Sequence, residues 1–396
     1  MELRTWLGLL LAVAVLLGLA RWRLYVALFS AAIVFGFLAL SPEQVGAALL
    51  GLFRDPGILL LALVVAIIPL IGGGLEDSGQ MEGLVRNMRI GRRAFLAFAP
   101  AIVGMLPMPG GALLSAPLVE RGGGETDRAL QAAVNVWFRH VLFLVYPLGP
   151  ALIASAKVAG LEIYHVIPYL LPLCLLSILL GYLFLLRRVE GRMDYPGSFS
   201  LRGLLLPLGA LLAAPVTDLI LESTLALPVR ELGTLAGVSI SLLLVASFGR
   251  LSGRDLLAVG KKMRVWRFSL VILGMFFFIA VFQRSEAPQL LAGLALPPAA
   301  LGVVGGFLLG LITGRIEASA SIIIPILGVG ATGVTLPVFA VIFYSIFLGY
   351  VLTPMHPCIA VSTEYFGISL RAFLGRLALP AGLALAAAAV LAVLLY

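Results

Sequence analysis

Charged side chains are scarce in this sequence. Asp, Glu, Lys and Arg together make up only 12% of its 396 residues, whereas soluble proteins contain about 25%. Hydrophobic residues make up 61%, and the mean hydropathy is +1.12. So few charges cannot cover a water-facing surface, and long apolar runs are typical of membrane spans. We therefore predict an all-α polytopic membrane protein, because helices satisfy their own backbone hydrogen bonds in lipid.

Cysteine is equally rare, since only Cys174 and Cys358 are present and both lie in apolar surroundings. Two such residues indicate neither a disulfide framework nor a thiolate metal site, so we expect no bound metal. The sequence also lacks nucleotide-binding motifs. We therefore expect no cofactor and no ATP hydrolysis by this chain.

Ten apolar stretches predict membrane crossings, since about 20 helical residues span a bilayer. Two further stretches, 93–120 and 299–328, predict re-entrant hairpins, and the Pro- and Gly-rich residues at 107–111 cannot continue a helix. The ten crossings are predicted near 6–20, 24–40, 57–74, 126–158, 162–186, 202–220, 231–248, 267–283, 335–366 and 370–395. Prolines interrupt two of them, 126–158 and 335–366.

Lys and Arg are distributed unevenly between the two sides of this topology. One side holds 20 of the 27 basic residues and the other holds five. Because cytoplasmic loops are enriched in basic residues, we predict a multi-pass protein of the cytoplasmic (inner) membrane with both termini outside. The bias also accounts for the net charge of +8. We therefore expect the basic loops to face the lipid bilayer, and we expect no nucleic-acid partner.

The second half of the chain repeats the first at an offset near 207 residues. Both prolines of Tyr146-Pro147-Leu148-Gly149-Pro150 align with those of Thr353-Pro354-Met355-His356-Pro357. Because each half has five crossings, an odd number, the second must be inverted relative to the first. We predict two inverted five-helix repeats, each with a re-entrant hairpin and a Pro-broken helix.

The predicted domain boundaries follow from this repeat. The first repeat, 1–198, comprises scaffold helices 6–74, a surface arm 76–92, the hairpin 93–120, the broken helix 126–158 and the helix 162–186. The second repeat, 199–396, comprises scaffold helices 202–283, an arm 284–298, the hairpin 299–328, the broken helix 335–366 and the helix 370–395.

Interrupted helices in inverted repeats are typical of secondary transporters. The layout, with the strings GMLPMPGGALLSAPLVE and TPMHPCIAVSTEYF, resembles the Ion Transporter superfamily of elevator-type secondary carriers. This group includes divalent-anion/sodium symporters and gluconate and citrate permeases, and the strings are most similar to an uncharacterised bacterial and archaeal integral-membrane family within it. The resemblance implies a scaffold, a moving transport domain and a homodimer formed through scaffold helices. Met108-Pro109-Gly110 and Leu148-Gly149-Pro150 replace the Ser-Asn-Thr motifs that hold sodium in the symporters, so we expect a coupling proton instead.

Hairpin tips and helix breaks expose backbone N–H groups and positive helix-dipole ends, which suit an anion. A buried Arg139 would be costly and is usually functional, and Asn135 and Tyr146 share its predicted helix face. The alternatives are a plain tight turn at 107–111 and a structural ion pair for Arg139. The predicted substrate-binding residues are Pro107, Met108, Pro109, Gly110, Gly111, Asn135, Arg139, Tyr146, Pro147, Gly149, Thr313, Gly314, Arg315, Ser319, Thr353, Pro354 and His356.

Four titratable residues are candidates for coupling: His140, Glu317, His356 and Glu364. His356 lies between the prolines of the second break, and an unperturbed histidine titrates near neutral pH. Glu317 follows Arg315 at the second hairpin tip, where it either pairs with that arginine or carries a proton. Structural packing is the alternative for His140, and a solvated helix end is the favoured interpretation for Glu364.

These observations predict a secondary active transporter that moves a small, anionic organic solute by an elevator motion coupled to protons. A cation/proton antiporter is an alternative within transport, with Glu317 as its only deep carboxylate. An intramembrane enzyme is an alternative of another class. Ser115 and His140 are present, but no GxSxG-like context surrounds the serine, so we do not expect an enzyme.

Overall fold

The computed structural model describes residues 2–20, 22–105, 111–193, 195, 197–293, 297–328 and 333–395. All regular structure within these residues is helical, which confirms the all-α prediction. The predicted site residues Pro107, Met108, Pro109 and Gly110 lie outside the described residues.

The helices of each half are numbered in chain order. The first half contains α1 (Glu2–Ala20), α2 (Leu24–Ala39), α3 (Pro42–Leu52), α4 (Pro56–Asp77), α5 (Gln80–Asn87), α6 (Arg92–Gly104), α7 (Gly111–Gly123), α8 (Arg128–Val141), α9 (Pro150–Val158) and α10 (Ile163–Leu186). The second half contains α11 (Leu201–Thr224), α12 (Glu231–Gly249), α13 (Gly253–Met263), α14 (Trp266–Arg284), α15 (Ala287–Ala292), α16 (Pro298–Thr313), α17 (Ile316–Leu327), α18 (Leu336–Leu352), α19 (Pro357–Phe366) and α20 (Leu370–Leu395).

Eight helical segments of the described chain are long and apolar enough to cross a membrane. They are α1, α4, α10, α11, α12, α14, the segment Leu336–Phe366 and α20. The chain is therefore a polytopic membrane protein, as predicted. Two of the ten predicted crossings fall outside this group, because α2 has only 16 residues and the other divides into α8, with 14 residues, and α9, with nine.

Two short helices, α3 and α13, were not among the predicted crossings. Each begins with a capping box, in which side chain and backbone exchange hydrogen bonds across four residues. The Ser41 N–H donates to Gln44 Oε1 at 2.9 Å, and the Ser252 N–H donates to Asp255 Oδ2 at 2.7 Å. Within the predicted surface arms, the separate helices are short: α5 has eight residues and α15 has six.

Helices of the two halves pack against one another. α14 packs against α2 and α4, and α12 also packs against α4. The predicted scaffold helices of the two halves therefore contribute residues to the same hydrophobic clusters. α19 packs against α7 and α8, whereas α9 packs against α17. The second segment of each broken helix therefore lies against the returning hairpin arm of the other half.

Glycines allow the hairpin arms to cross the broken helices at close range. A Cβ atom on Gly104 of α6 would overlap the carbonyl oxygen of Arg139 in α8, and one on Gly310 of α16 would overlap the carbonyl oxygen of Ile346 in α18. The two contacts lie at corresponding places of the halves, 206 and 207 residues apart. The first contact holds the backbone of Arg139 directly against the first hairpin.

Candidate functional site

The second helix break directs His356 into the protein interior. α19 begins at Pro357, where a missing N–H removes no helical hydrogen bond, and His356 is its N-cap. The Nδ1 of His356 accepts a 2.9 Å hydrogen bond from the N–H of Cys358. The residue is only 2% exposed, although Pro354 and Met355 of the same break are exposed. The break therefore has one buried polar face and one open face.

His140, from α8 of the first half, meets His356 of the second half. The ring centroids are 4.7 Å apart, and His140 is 1% exposed. The ring of Tyr350, near the end of α18, lies 4.2 Å from that of His356 and 5.5 Å from that of His140. The two histidines, which we call the imidazole pair, thus form a buried contact between the two halves.

The hydrogen bonds of the imidazole pair determine where its protons lie. Because Nδ1 of His356 accepts from a backbone N–H, the proton of this ring is on Nε2. That Nε2 is buried and has no hydrogen-bond partner within the described structure. The Nδ1 of His140 lies 2.6 Å from the carbonyl oxygen of Val136 and must donate to it, which leaves the lone pair on Nε2. The neutral pair therefore offers one N–H donor and one nitrogen acceptor.

Two arginines give this region a positive charge. Arg139 is 3% exposed and forms a hydrogen bond with the thiol of Cys358. Arg315 lies close enough to interact electrostatically with both His356 and Cys358. Both arginines and Glu317 interact in the same way with Tyr350. Guanidinium groups match carboxylate and phosphate geometry, so the arrangement suits an anion.

The tip of the second hairpin is a rigid turn beside this region. The Arg315 N–H donates to Thr313 Oγ1, the Ser319 hydroxyl donates to the Arg315 carbonyl oxygen, and each distance is 3.0 Å. Gly314 has φ +59°, a left-handed conformation that favours glycine. A Cβ at this position would lie 3.1 Å from Cβ of Met355. The tip therefore packs on the second break and carries Arg315 to it.

Asn135 connects the first hairpin to the second broken helix. It is fully buried in α8, and its Nδ2 donates to Ser362 Oγ at 2.9 Å and to the Ala112 carbonyl oxygen at 3.4 Å. Ala112 follows Gly111 at the start of α7. The structure thus brings Asn135, Gly111 and α19 together, and Asn135 Oδ1 has no hydrogen-bond partner among the described atoms.

Other predicted site residues lie elsewhere. α8 ends at Val141 and a 3₁₀ turn follows, so the expectation that Tyr146 shares a helix face with Asn135 and Arg139 is wrong. Tyr146 packs in an apolar cluster with scaffold helices, next to Pro147 and Gly149 in the first break. Glu364 is exposed in the last turn of α19. Thr353 is buried and accepts a 3.2 Å hydrogen bond from the Met355 N–H, whereas Pro354 is exposed.

Sequence reasoning missed Tyr350, Cys358 and Ser362. Their spacing from His356 is visible in the sequence, but their contacts with α8 arise only when the two halves pack.

His140, His356 and Cys358 bring their nitrogen and sulfur atoms within 4.8 Å of one another, a spacing compatible with a metal ion. The Nδ1 lone pair of His356 is already used by the Cys358 N–H, and two guanidinium groups repel a cation. The donor set therefore fits an anion better than a divalent metal.

Fold and site together define a polytopic helical membrane protein whose buried polar centre lies where helices of its two halves meet. The chain belongs to the family described as "Protein of unknown function (DUF401)", whose profile matches residues 4–395. No curated protein matches the sequence.

A solved structure with a similar fold is the YdaH transporter from Alcanivorax borkumensis, described as having an unusual topology. The TM-score is 0.63 at 17% sequence identity, and the match covers 93% of this chain and 96% of that chain. At this identity the likeness concerns the fold alone.

Proposed function

We propose that this protein is a secondary active transporter of a small, anionic organic solute. The observation that carries the proposal is the buried contact between His140 and His356 beside Arg139 and Arg315. Ionisable groups inside a membrane protein are costly and mark substrate or ion pathways. The likeness in fold to a transporter supports the same class.

The chemistry of the region supports an anionic substrate. Arg139 and Arg315 supply guanidinium groups for a carboxylate, and Nε2 of His356 supplies a further donor that has no partner among the described atoms. The N-terminus of α19 adds the positive end of a helix dipole at the same place. Each of these features favours negative charge, so a carboxylate is the proposed recognition group.

We also propose an elevator mechanism, as in the Ion Transporter superfamily, with a homodimer formed through scaffold helices. The proposed moving part and scaffold are joined at the predicted outer face by two ion pairs. Lys157 of α9 pairs with Glu231 of α12, and Arg230 pairs with Glu162 at 2.6 Å. Such partly exposed pairs contribute about 0–1 kcal/mol, so they can break and re-form during a movement.

The proposed coupling ion is a proton taken up by the imidazole pair. His140 can accept it on Nε2 without losing its bond to Val136, whereas protonation of Nδ1 in His356 would break the bond to Cys358. An anion bound between the arginines would offset the added charge, so proton and substrate would each increase the affinity for the other. We therefore expect substrate affinity to increase as pH falls.

The test is counterflow of mono-, di- and tricarboxylates, sugar acids and phosphates in proteoliposomes, with binding measured on the purified protein. His356→Asn keeps a good N-cap for α19 but removes the Nε2 donor, so we expect binding to fall by about 100-fold or more. His165→Asn makes the same substitution at an exposed histidine outside the site and should keep most of the activity. Normal transport by His356→Asn, or no counterflow of any compound in the panel, would contradict the proposal.

A cation/proton antiporter is the second candidate, favoured by the position of Glu317 near Tyr350 and the arginines. Glu317→Gln distinguishes the two. An antiporter should lose all activity, whereas an anion carrier should keep transport with an altered pH dependence.

We propose no catalytic role, since Ser115 donates to the Ala112 carbonyl oxygen and Nδ1 of His140 is bonded to Val136.

A further inference from the structure

A cleft of about 680 Å³ lies where the turn between α1 and α2 meets α13 and the turn between α13 and α14. Its basic lining residues are Arg23, Lys261, Arg264 and Arg267, and no acidic residue of the described chain lines it. Leu257 and Trp266 form part of its apolar wall and are 69% and 49% exposed. The cleft therefore combines four cations with an exposed hydrophobic surface.

The four cations differ from their neighbour Lys262. Lys262 lies 2.6 Å from Asp77 and 3.3 Å from Glu76, so its charge is offset. None of the four lining cations forms an ion pair in the described part of the chain. Their charges therefore add up within the cleft and favour an anion.

The guanidinium group of Arg267 is held in place but not fully hydrogen-bonded, which also indicates a ligand. Its guanidinium carbon lies 5.3 Å from the ring centroid of Trp266, a cation–π contact that holds the group in place. Its Nε atom is buried and has no hydrogen-bond partner among the described atoms. A buried donor without an acceptor is costly, and a bound oxyanion would supply that acceptor.

Two helix N-termini contribute to the same cleft. Arg23 and Val265 line it, and they are the N-caps of α2 and α14. Neither helix has a side chain that accepts from its first N–H groups. In α14 the N–H groups of Arg267 and Phe268 already donate to the carbonyl oxygens of Arg264 and Val265, but the positive ends of the two helix dipoles still attract an oxyanion. These termini add positive potential to that of the four side chains.

We propose that this cleft binds the headgroup of an anionic phospholipid, with the phosphodiester on Arg264, Arg267 and Lys261 and the glycerol and acyl region against Trp266 and Leu257. Trp is enriched at membrane interfaces, and the orientation predicted from the loop charges assigns this face to the cytoplasmic leaflet, whose lipids are anionic. The exposed apolar wall fits an acyl chain, whereas a soluble phosphate would leave it in water.

Such a lipid would connect the two halves of the chain. Arg23 belongs to the first half, and α13 and α14 belong to the second. α13 and α14 both pack against α4. A headgroup held between them stabilises the arrangement of the scaffold helices, so binding should raise the melting temperature of the protein.

The test measures lipid binding to the purified full-length protein in detergent, by native mass spectrometry and by thermal shift. The probes are phosphatidylglycerol, a lipid with two phosphodiesters, phosphatidylcholine and, as water-soluble anions, glycerol phosphate and inorganic phosphate. Arg264→Gln and Lys262→Gln form a matched pair, because both remove one exposed positive charge at the end of α13, one inside the cleft and one outside it. We expect Arg264→Gln to weaken binding of the anionic lipids about fivefold, and Lys261→Gln/Arg264→Gln/Arg267→Gln about 100-fold.

Lys262→Gln should bind these lipids like the unmodified protein, and phosphatidylcholine should bind weakly to all variants. Three results would overturn the proposal. Equal losses in Arg264→Gln and Lys262→Gln would show a diffuse charge effect, equal binding of phosphatidylcholine would show an apolar groove only, and equal stabilisation by either soluble phosphate would show a free-anion site. If the triple variant fails to fold, the exposed matched pair still decides.

Discussion

The two helix breaks share a geometry but differ in chemistry. α9 and α19 both begin at a proline, 207 residues apart, and each packs against the returning hairpin arm of the other half. At corresponding positions the first break has Phe143, Gly149 and Ala151, and the second has Tyr350, His356 and Cys358. Proline and glycine thus maintain one shape in both halves, while the polar groups concentrate in the second.

This difference means that, within the described residues, the two breaks share one polar centre rather than having one each. The first half contributes Asn135, Arg139 and His140 from the body of α8. The second half contributes a break and a hairpin tip, with His356 and Arg315. At the first break, Tyr146 and Leu148 pack instead in an apolar cluster with scaffold helices. Substitutions at paired positions can therefore separate what maintains the shape from what supplies the chemistry.

The largest expected effect concerns the shape that both halves share. Gly104→Ala and Gly310→Ala would each place a Cβ on a carbonyl oxygen of the crossing helix, so we expect each to destabilise the protein by about 1–3 kcal/mol. Gly382→Ala in α20 is the control, because a Cβ there meets no atom within 4 Å and alanine is the better helix former. Thermal unfolding in detergent measures all three. Unchanged stability in either close-contact variant would contradict the paired crossing.

A smaller effect should separate the two halves. Ser362 of α19 accepts a hydrogen bond from Asn135, whereas its counterpart Ser155 of α9 is buried with no partner among the described atoms. The residue that corresponds to Asn135 in the second half is Ile342, which cannot form such a bond. Ser362→Ala should cost about 1–2 kcal/mol, because it removes the shorter of the two hydrogen bonds that the buried Asn135 amide donates and leaves one N–H without an acceptor. Ser155→Ala should be neutral or stabilising, since it removes an unsatisfied hydroxyl.

These two serines are a matched pair, with the same substitution at corresponding positions of corresponding helices. Thermal unfolding of both variants under one set of conditions gives the comparison directly. Equal destabilisation by the two substitutions would show that the difference between the halves has no energetic consequence at this position.

The sequence predicted the shared shape better than the unequal chemistry. Pro150, Pro357 and the charged turn at Thr313–Arg315 obey local rules, so the positions of the second hairpin tip and both breaks could be read directly. α3 and α13 have only 11 residues each, too few to cross a membrane, so long apolar runs do not indicate them. Their capping boxes are nevertheless visible in the sequence. Local rules also explain the error at Tyr146, since helical periodicity cannot be extended through a 3₁₀ turn.

The contacts of the site depend on tertiary packing and could not be predicted in this way. His140 and His356 are 216 residues apart in the chain, and only the packing of α19 on α8 brings their rings together. The same packing gives Cys358 its contact with Arg139. A single sequence indicates which residues are unusual at membrane depth, but it does not indicate which of them face one another.

The smallest expected effects compare two partly exposed ion pairs and have opposite pH dependence. A hydrogen bond from Arg230 lowers the pKa of Glu162, and a hydrogen bond to Asp77 raises the pKa of Lys262. Glu162 therefore stabilises the fold above its unfolded pKa of about 4.3, and this contribution disappears as pH falls through its lower folded pKa. Lys262 stabilises below about pH 10.4, and its contribution disappears as pH rises through its higher folded pKa.

Both groups are partly exposed, so each contribution should be only about 0.2–1 kcal/mol. The melting temperature of Glu162→Gln should lie slightly below that of the unmodified protein near neutral pH, and the difference should vanish in acid. The difference for Lys262→Gln should vanish in alkali instead, which makes each variant the control for the other. A difference for Glu162→Gln that grows as pH falls would show that Arg230 does not stabilise the ionised carboxylate.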